Sequence, residues 1–280
     1  MTHPALISDS VAVITGGAAG IGFASAKRFA AMGMALVIVD NRADLLPAAA
    51  DALQKAGARK VMTASTDVAD ADAMKALEQQ VADRFGGTDI LMNNAGIQPG
   101  SSVFSDDDTW HRVLNVNLWG IMNGSRIFGP RMVDRARPGM IVNTGSKQGI
   151  TTPPGDPVYN VAKAGAKAFT EALEHELRNT EGAKISAHLL IPGHVFTDLT
   201  ARGRTEKPDG AWTADQTADF FIDRLNKGDF YILCPDGDVD RALDEKRMAW
   251  AMGDVIENRP PLSRWHSEFG PKFEAFIKGG

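Results

Sequence analysis

Short apolar runs recur along the chain, separated by longer polar-patterned stretches: VAVIT (11–15), ALVIVD (35–40), KVMTA (60–64), DILMN (89–93), MIVNT (140–144), ISAHLL (185–190) and FYILC (230–234). They are rich in β-branched residues, and several are apolar throughout, as strands covered on both faces of a parallel sheet must be. Between them apolar residues recur at three and four, as in Met74, Leu77, Val81 and Phe85, which predicts amphipathic helices. Glycines at 33, 57 and 86 close helical stretches just before the next strand, where a left-handed cap is needed. The alternation predicts a doubly wound α/β sheet flanked by helices. No repeat of solenoid length and no interdomain linker interrupts it. The most polar and turn-rich stretch, TDLTARGRTEKPDGAW (197–212), predicts a loop long enough to be functional or mobile.

The turn after the first strand carries the first chemistry. TGGAAGIG (15–22) places glycines at 16, 20 and 22 between a strand and a helix expected around Ile21 to Met32. Free N–H groups and the helix dipole there favour a bound pyrophosphate. Gly16 and Gly20 permit the turn and the close approach of a ligand, and Gly22 lets the helix pack near the sheet. The second strand ends at Asp40, 24 residues after Gly16, near the spacing of an acid that accepts hydrogen bonds from an adenosine ribose. A carboxylate there repels a 2′-phosphate and favours NAD over NADP. Ala19 supplies no cation for that phosphate, while Arg42 keeps NADP open. Asp67, at the end of the third strand, either holds the adenine edge or starts a turn.

Composition narrows the classes. With 280 residues, 44% apolar and 23% charged, the chain can bury a large core. A net charge of −5 argues against a nucleic-acid partner, which would need clustered Lys and Arg. Cys234 is the only cysteine, so an intrachain disulfide, a zinc cluster and a Cys-x-x-Cys pair are all excluded, and it reads as a buried apolar residue. No metal site is expected. The opening MTHPALISDS lacks a targeting pattern, and no run of eighteen apolar residues occurs, so the expectation is a cytoplasmic protein without a membrane partner.

Further motifs lie in order along the chain: NNAG (93–96), Asn117 in NVNLWG, Ser146 in VNTGS, Tyr159 and Lys163 in YNVAK, and PGHVFT (192–197), with Ser146 thirteen residues ahead of Tyr159. Together with TGGAAGIG they resemble the short-chain dehydrogenase/reductase family in its compact soluble branch, over roughly residues 10 to 200. The resemblance implies a single Rossmann-type domain over 1–280. Its central parallel sheet would have about seven strands in the order 3-2-1-4-5-6-7, with a mobile substrate loop at about 194–212 and a C-terminal extension at about 236–280. It also implies a catalytic tetrad of Asn117, Ser146, Tyr159 and Lys163 beside a nicotinamide. Asn117 would anchor a water chain leading from Lys163 to solvent. Cofactor contacts are implied from Ile21, Asn41 and Val68, from Asn94, Ala95 and Gly96, and from Pro192, Gly193, Val195 and Thr197. The reaction implied is hydride transfer between NAD(H) and a secondary alcohol or ketone, in a homotetramer or homodimer. Two departures stand out: Thr-Gly precedes Ser146 where paired serines are commoner, and the chain runs some thirty residues past the usual end.

The tetrad chemistry also has a physical basis in the residues themselves. In GDPVYNVAK, Asp156 is placed to cap a helix beginning at Pro157, so that Tyr159 lies in its first turn and Lys163 one turn on. Moving a phenol from a pKa of about 10 to near 7 takes about 4 kcal/mol. An ammonium about 4 Å away supplies about 4 kcal/mol at an effective dielectric of 20. The lysine is therefore expected to suffice. Tyr159 would exchange a proton with the substrate oxygen and Ser146 would orient that oxygen.

Substrate selection is expected from Ile97 and Gln98, from Gln148 to Ile150, and from the stretch between His194 and Trp212. Gln98, Gln148 and His194 are the candidate contacts, while His111 and His188 receive no role. Arg202, Arg204 and Lys207 either attract an anionic group or belong to a solvated loop. Trp265, His266 and Phe269 either close a pocket or pack in the core or against a subunit. Two other activities fit parts of the pattern: an NADP-dependent carbonyl reductase, and an NAD-sensing protein without turnover. A sugar-nucleotide epimerase is disfavoured by the glycine spacing and the lack of a large second domain.

Overall fold

The computed structural model describes residues 2–201 and 203–279. Its strands are β1 (Val11–Thr15), β2 (Ala35–Asp40), β3 (Lys60–Ser65), β4 (Ile90–Asn93), β5 (Gly139–Thr144), β6 (Ile185–Ile191), β7 (Val195–Phe196), β8 (Trp212–Thr213) and β9 (Tyr231–Leu233). Seven of them form one parallel sheet in the order β3-β2-β1-β4-β5-β6-β9. This is the expected winding, with β9 as the seventh strand, because β7 and β8 pair separately with each other.

Burial on both faces explains the unbroken apolar runs. On one side Ala12 and Ile14 of β1 join Leu36, Ile38, Phe29 and Phe221. On the other, Val11 and Val13 join Val37, Val39, Met74 and Leu77. Each fully buried Val, Leu or Ile contributes about 1.5–3 kcal/mol, so neither face tolerates a polar register. The helix Ala71–Phe85 starts where the Asp70 side chain accepts from Asp72 N and Ala73 N. It ends at Gly86, whose φ of 80° is the left-handed cap the sequence requires.

All strands of the sheet run the same way, so their carboxyl ends form one edge. β1 and β4 are neighbours although β2 and β3 intervene in the chain, and the winding reverses between them. Loops leaving that point diverge and open a crevice.

The segment 194–212 is less irregular than its composition suggests. It contains β7, the turn of helix Asp198–Ala201 and the start of β8, whose Trp212 N donates to His194 O at 2.9 Å. The extension beyond 236 forms the helices Arg241–Ile256 and Gly270–Lys278 around the turn Ser263–Trp265. Trp250 joins them, its ring 5.5 Å from Phe273 and its Nε1 donating to Ser263 Oγ at 2.8 Å. No helix among the described residues is long and apolar enough to cross a membrane.

Candidate active site

A cleft of about 400 Å³ opens at the carboxyl ends of the strands, centred on the β1/β4 reversal. From the turn after β1 come Gly16, Ala19, Gly20 and Ile21, and from the end of β2 come Asp40 and Asn41. The loop after β3 contributes Asp67 and Val68, and the loop after β4 contributes Asn94, Ala95 and Gly96. Gly16, at φ +61°, has no room for a side chain, since a Cβ would lie 2.9 Å from Ala95 Cα. The helix Gly20–Ala31 begins after Ala19 with no side chain capping its first N–H groups, which leaves them to a ligand. Gly22 does not line the cleft. A Cβ there would overlap the Gly16 carbonyl and the Asn94 side chain, so this glycine serves close packing of helix on turn.

Asp40 is buried, 6% exposed, with Oδ2 accepting from Ala18 N at 3.2 Å and Oδ1 from Arg42 N at 3.1 Å. Arg42 Nε lies 3.7 Å from that carboxylate while Nη1 reaches Asp198 Oδ2 at 3.2 Å, so its charge is shared between two acids. Asp67 lines the cleft and also starts a turn, its Oδ1 accepting from Ala69 N at 2.9 Å. The NNAG turn is tied to β1. Asn94 Nδ2 donates to Thr15 O and Gly16 O, and Thr15 Oγ1 accepts from Asn94 N and Ala95 N.

At the other end of the cleft stand Ser146 after β5, Tyr159 and Lys163 on the helix Pro157–Asn179, and Pro192, Gly193, Val195 and Thr197 after β6. Tyr159 and Lys163 are both buried. The Lys163 ammonium donates to Thr144 O at 2.7 Å and lies 5.7 Å from the centre of the Tyr159 ring. Asp156 stands at the helix start but caps nothing with its side chain. Its Oδ1 instead accepts from Ser101 Oγ at 2.6 Å, and Ser101 Oγ accepts from Val158 N at 3.2 Å. The cap is thus lent by a residue 57 positions away.

Burial works against the expected tuning of the phenol. Burial pushes Tyr159 up to about 12, with Ser146 pulling it down and Asp156 raising it further. Burial likewise pushes Lys163 down to about 8. Desolvation works against phenolate and ammonium alike, and here it exceeds the attraction of a lysine one turn away.

Asn117 lies deeper than the cleft residues. It lies in a π turn, Asn115–Trp119, fully buried and outside the cleft lining. Its Oδ1 accepts from Ile97 N and its Nδ2 donates to Ile97 O, each at 2.8 Å, so the side chain anchors the 93–98 loop.

Gln98, Gln148 and His194 do not line the cleft. Gln98 Nε2 donates to Gln148 Oε1 at 3.2 Å, linking the loops after β4 and β5, and His194 N donates to Asp236 Oδ2 at 2.7 Å. Arg202 lies outside the described residues. Arg204 and Lys207 donate to backbone oxygens of Ala201 and Ala211, which suits a solvated loop. Trp265, His266 and Phe269 lie outside the cleft, His266 and Phe269 meeting edge to face at 5.7 Å. Cys234 is fully buried, and burial pushes its thiol up to about 12.

Sequence reasoning does not single out Thr144 or Asp236, and it reaches Leu199 and Thr200 only as part of the stretch 194–212. Thr144 supplies the carbonyl that holds Lys163, and Leu199 and Thr200 of the short helix line the cleft. Their only signal is position next to a motif. Asp236 was missed altogether, although its carboxylate fixes the loop after β6 and takes Lys147 Nζ at 2.5 Å. Among the described residues no cluster of His, Cys, Asp and Glu could hold a metal ion.

The short chain dehydrogenase family profile matches residues 10–208. A relative, 1-deoxy-11-beta-hydroxypentalenate dehydrogenase of Streptomyces avermitilis, is 32% identical over 251 residues, 87% of this chain and 91% of that protein. Among solved structures, a short chain dehydrogenase/reductase from Burkholderia phymatum in complex with NAD superposes with a TM-score of 0.81. It is 31% identical, over 90% of this chain and 96% of that one. An alcohol dehydrogenase from Thermococcus sibiricus, complexed with 5-hydroxy-NADP, superposes with a TM-score of 0.74 at 25% identity, over 83% of this chain and 98% of that one. With its sheet order, its cleft at the strand ends and a family match over most of its length, this chain belongs to the short chain dehydrogenase family.

Proposed function

We propose that the protein moves hydride between NAD(H) and the carbinol carbon of a secondary alcohol, or the corresponding ketone, with Tyr159 carrying the proton. One observation carries this reading: Tyr159 and Lys163, a helical turn apart, are both buried and both line the cleft beside Ser146. Burying a lysine ammonium and a tyrosine hydroxyl together at the end of a cleft is costly, and reacting groups are commonly held in such places.

The residues suit a dinucleotide. The side-chain-free turn at Gly16 and Gly20 and the uncapped helix start would take the pyrophosphate. Asp40, its carboxylate braced by two backbone amides, would accept from the ribose hydroxyls. Val195 and Thr197 would hold the carboxamide. Bound in oxidised form, the nicotinamide supplies a hydride acceptor and a positive charge, and in reduced form a hydride donor.

Tyr159 then acts on the substrate oxygen. In reduction its phenol, protonated at neutral pH, donates to the carbonyl oxygen as the carbon gains hydride; in oxidation the phenol first gives up its own proton, and the phenolate takes the hydroxyl proton as the carbon loses hydride to the nicotinamide. Lys163, with a pKa of about 8, keeps its charge at pH 7 and would resupply the proton. Ser146 would hydrogen-bond the same oxygen and fix its orientation.

NADP is the second reading, because Arg42 lines the cleft beside Asp40. NAD is favoured because that guanidinium already serves Asp40 and Asp198. The test is formation of reduced coenzyme from NAD and from NADP across a panel of secondary alcohols, for wild type and Tyr159→Phe. Tight NAD binding with no turnover of any alcohol would replace this reading with that of a nucleotide-sensing protein.

A further inference from the structure

The C-terminal extension brings two arginines to a place where no carboxylate is paired with them. A small cavity of about 50 Å³ lies between the turn Gln148–Thr151 and the helix Arg241–Ile256. Ile150, Leu233 and Met248 form its apolar wall, Lys147, Arg247 and Arg264 bring cations to it, and Asp244 brings one carboxylate. Lys147 is committed elsewhere: its Nζ lies 2.5 Å from Asp236 Oδ1 and 2.6 Å from Asp244 Oδ2. Nearby, Arg259 pairs with Asp254 and Glu257.

Arg247 and Arg264 make no ion pair and donate no hydrogen bond among the described residues, and Arg247 Nε is closed off from solvent without any acceptor. Arg264 is held by aromatic rings, its guanidinium carbon 4.7 Å from the centre of Phe273 and 4.9 Å from that of Trp265. Rings of this kind hold a cation without using its N–H donors. Burial first, and Arg247 second, push the Arg264 pKa down, with Glu274 opposing from beyond ion-pair distance. Lys147 takes both nearby carboxylates, Asp236 and Asp244, and Glu274 stays beyond ion-pair distance, so neither guanidinium is ion-paired. A buried donor without an acceptor and a pair of like charges are both costly unless something completes them.

We propose that this cavity is an anion site that takes a carboxylate group, bound by Arg247 and Arg264. The space suits it, being somewhat more than one water's share of liquid volume, about 30 Å³. Planar guanidiniums match the two oxygens of a carboxylate, and the apolar wall suits a short hydrocarbon carrier. The cavity shares no lining residue with the cleft, although Lys147 directly follows Ser146 in the chain. The carboxylate comes either from one end of the substrate or from a separate small acid. Only the first of these rests on the hydride-transfer reading above.

The experiment is thermal melting of the coenzyme-free protein in sodium acetate against sodium chloride of equal ionic strength. Wild type is compared with Arg247→Gln, Arg264→Gln and the control Arg241→Gln, an exposed residue paired with Glu245. At about ten times its Kd, acetate raises the melting temperature of wild type and of the control by about 3 °C over chloride, and each of the other two variants loses most of that rise. No acetate-specific rise in wild type, or a rise that survives in both cavity variants, overturns the proposal, and the wild-type measurement alone can do so even if a variant fails to fold. Turnover of hydroxy acids and their methyl esters then identifies the source. A KM raised about tenfold or more by Arg264→Gln for the acid alone assigns the site to the substrate; unchanged KM values with the acetate effect intact assign it to a separate acid. Absence of any NAD reduction sinks the hydride reading and leaves the melting result standing, because that result is read without coenzyme.

Discussion

Gly16 and Lys163 line one cleft, but the two ends of it are made in different ways. At the glycine end the chain shapes the site by leaving atoms out: no Cβ at Gly16, no cap on the helix after Ala19, and a carboxylate at Asp40 positioned by amides two and twenty-two residues away. Residues 15–42 do nearly all of this within one strand-turn-helix-strand unit. At the other end the site is made by burying groups that prefer water. Tyr159 and Lys163 lie one helical turn apart, yet the groups that set their behaviour, Thr144 and Ser146, come from another strand. The difference teaches that spacing is enough where the requirement is steric and local, and not where desolvation decides, because burial depends on everything packed around the group.

That contrast can be broken in order of expected effect. Tyr159→Phe removes the proton carrier but little volume, so kcat falls about 10²- to 10⁴-fold while NAD binding by calorimetry is kept. An equal loss of both would mean that the phenol supports the cleft rather than the chemistry.

Lys163→Met tests the buried charge. Its pKa falls on folding from 10.5 to about 8, so the native state is fully stable in this respect above 10.5 and loses stability as pH falls towards 8. Coenzyme-free wild type should therefore gain stability between about pH 8 and 10, by at most about 3 kcal/mol across the full shift. The variant should lack that gain. Tyr159 works in the opposite sense, its raised pKa costing stability as pH rises from 10 towards 12, so the window must end near 10.

At the glycine end, Gly16→Ala meets both a φ of +61° and a contact of 2.9 Å with Ala95. It should cost about 1–3 kcal/mol in denaturant unfolding and weaken NAD binding along with it. Asp40→Ala leaves Arg42 with only Asp198 as partner and should move the ratio of kcat/KM for NADP over NAD upward about tenfold, worth about 1.4 kcal/mol. If NADP gains nothing, the carboxylate is not what excludes its phosphate.

Much of the site was legible before folding was considered. β1 and β2 run over Val11–Thr15 and Ala35–Asp40, the stretches their apolar runs marked, because strands buried on both sides have no polar positions to blur their ends. The glycine caps at 33, 57 and 86 all take positive φ. The failures share a cause. Asp156 reads as a cap from nearby sequence, and the partners of Asn117, Gln98 and Gln148 cannot be read from it at all. Each side chain instead bonds to a partner 20 to 55 positions away.

By itself the sequence determined the sheet, its covering helices, the glycine turn with Asp40, and the helical turn between Tyr159 and Lys163, since all of these follow from periodicity, backbone sterics and short-range spacing. Only the tertiary structure decided which of those groups lose their water. It is the packing of distant segments that pushes the Tyr159 phenol up and the Lys163 ammonium down, turns Asn117 towards Ile97, and encloses Arg247 and Arg264 without an ion-pair partner among the described residues. Desolvation is a property of the whole assembled surround, and no local stretch of chain encodes it.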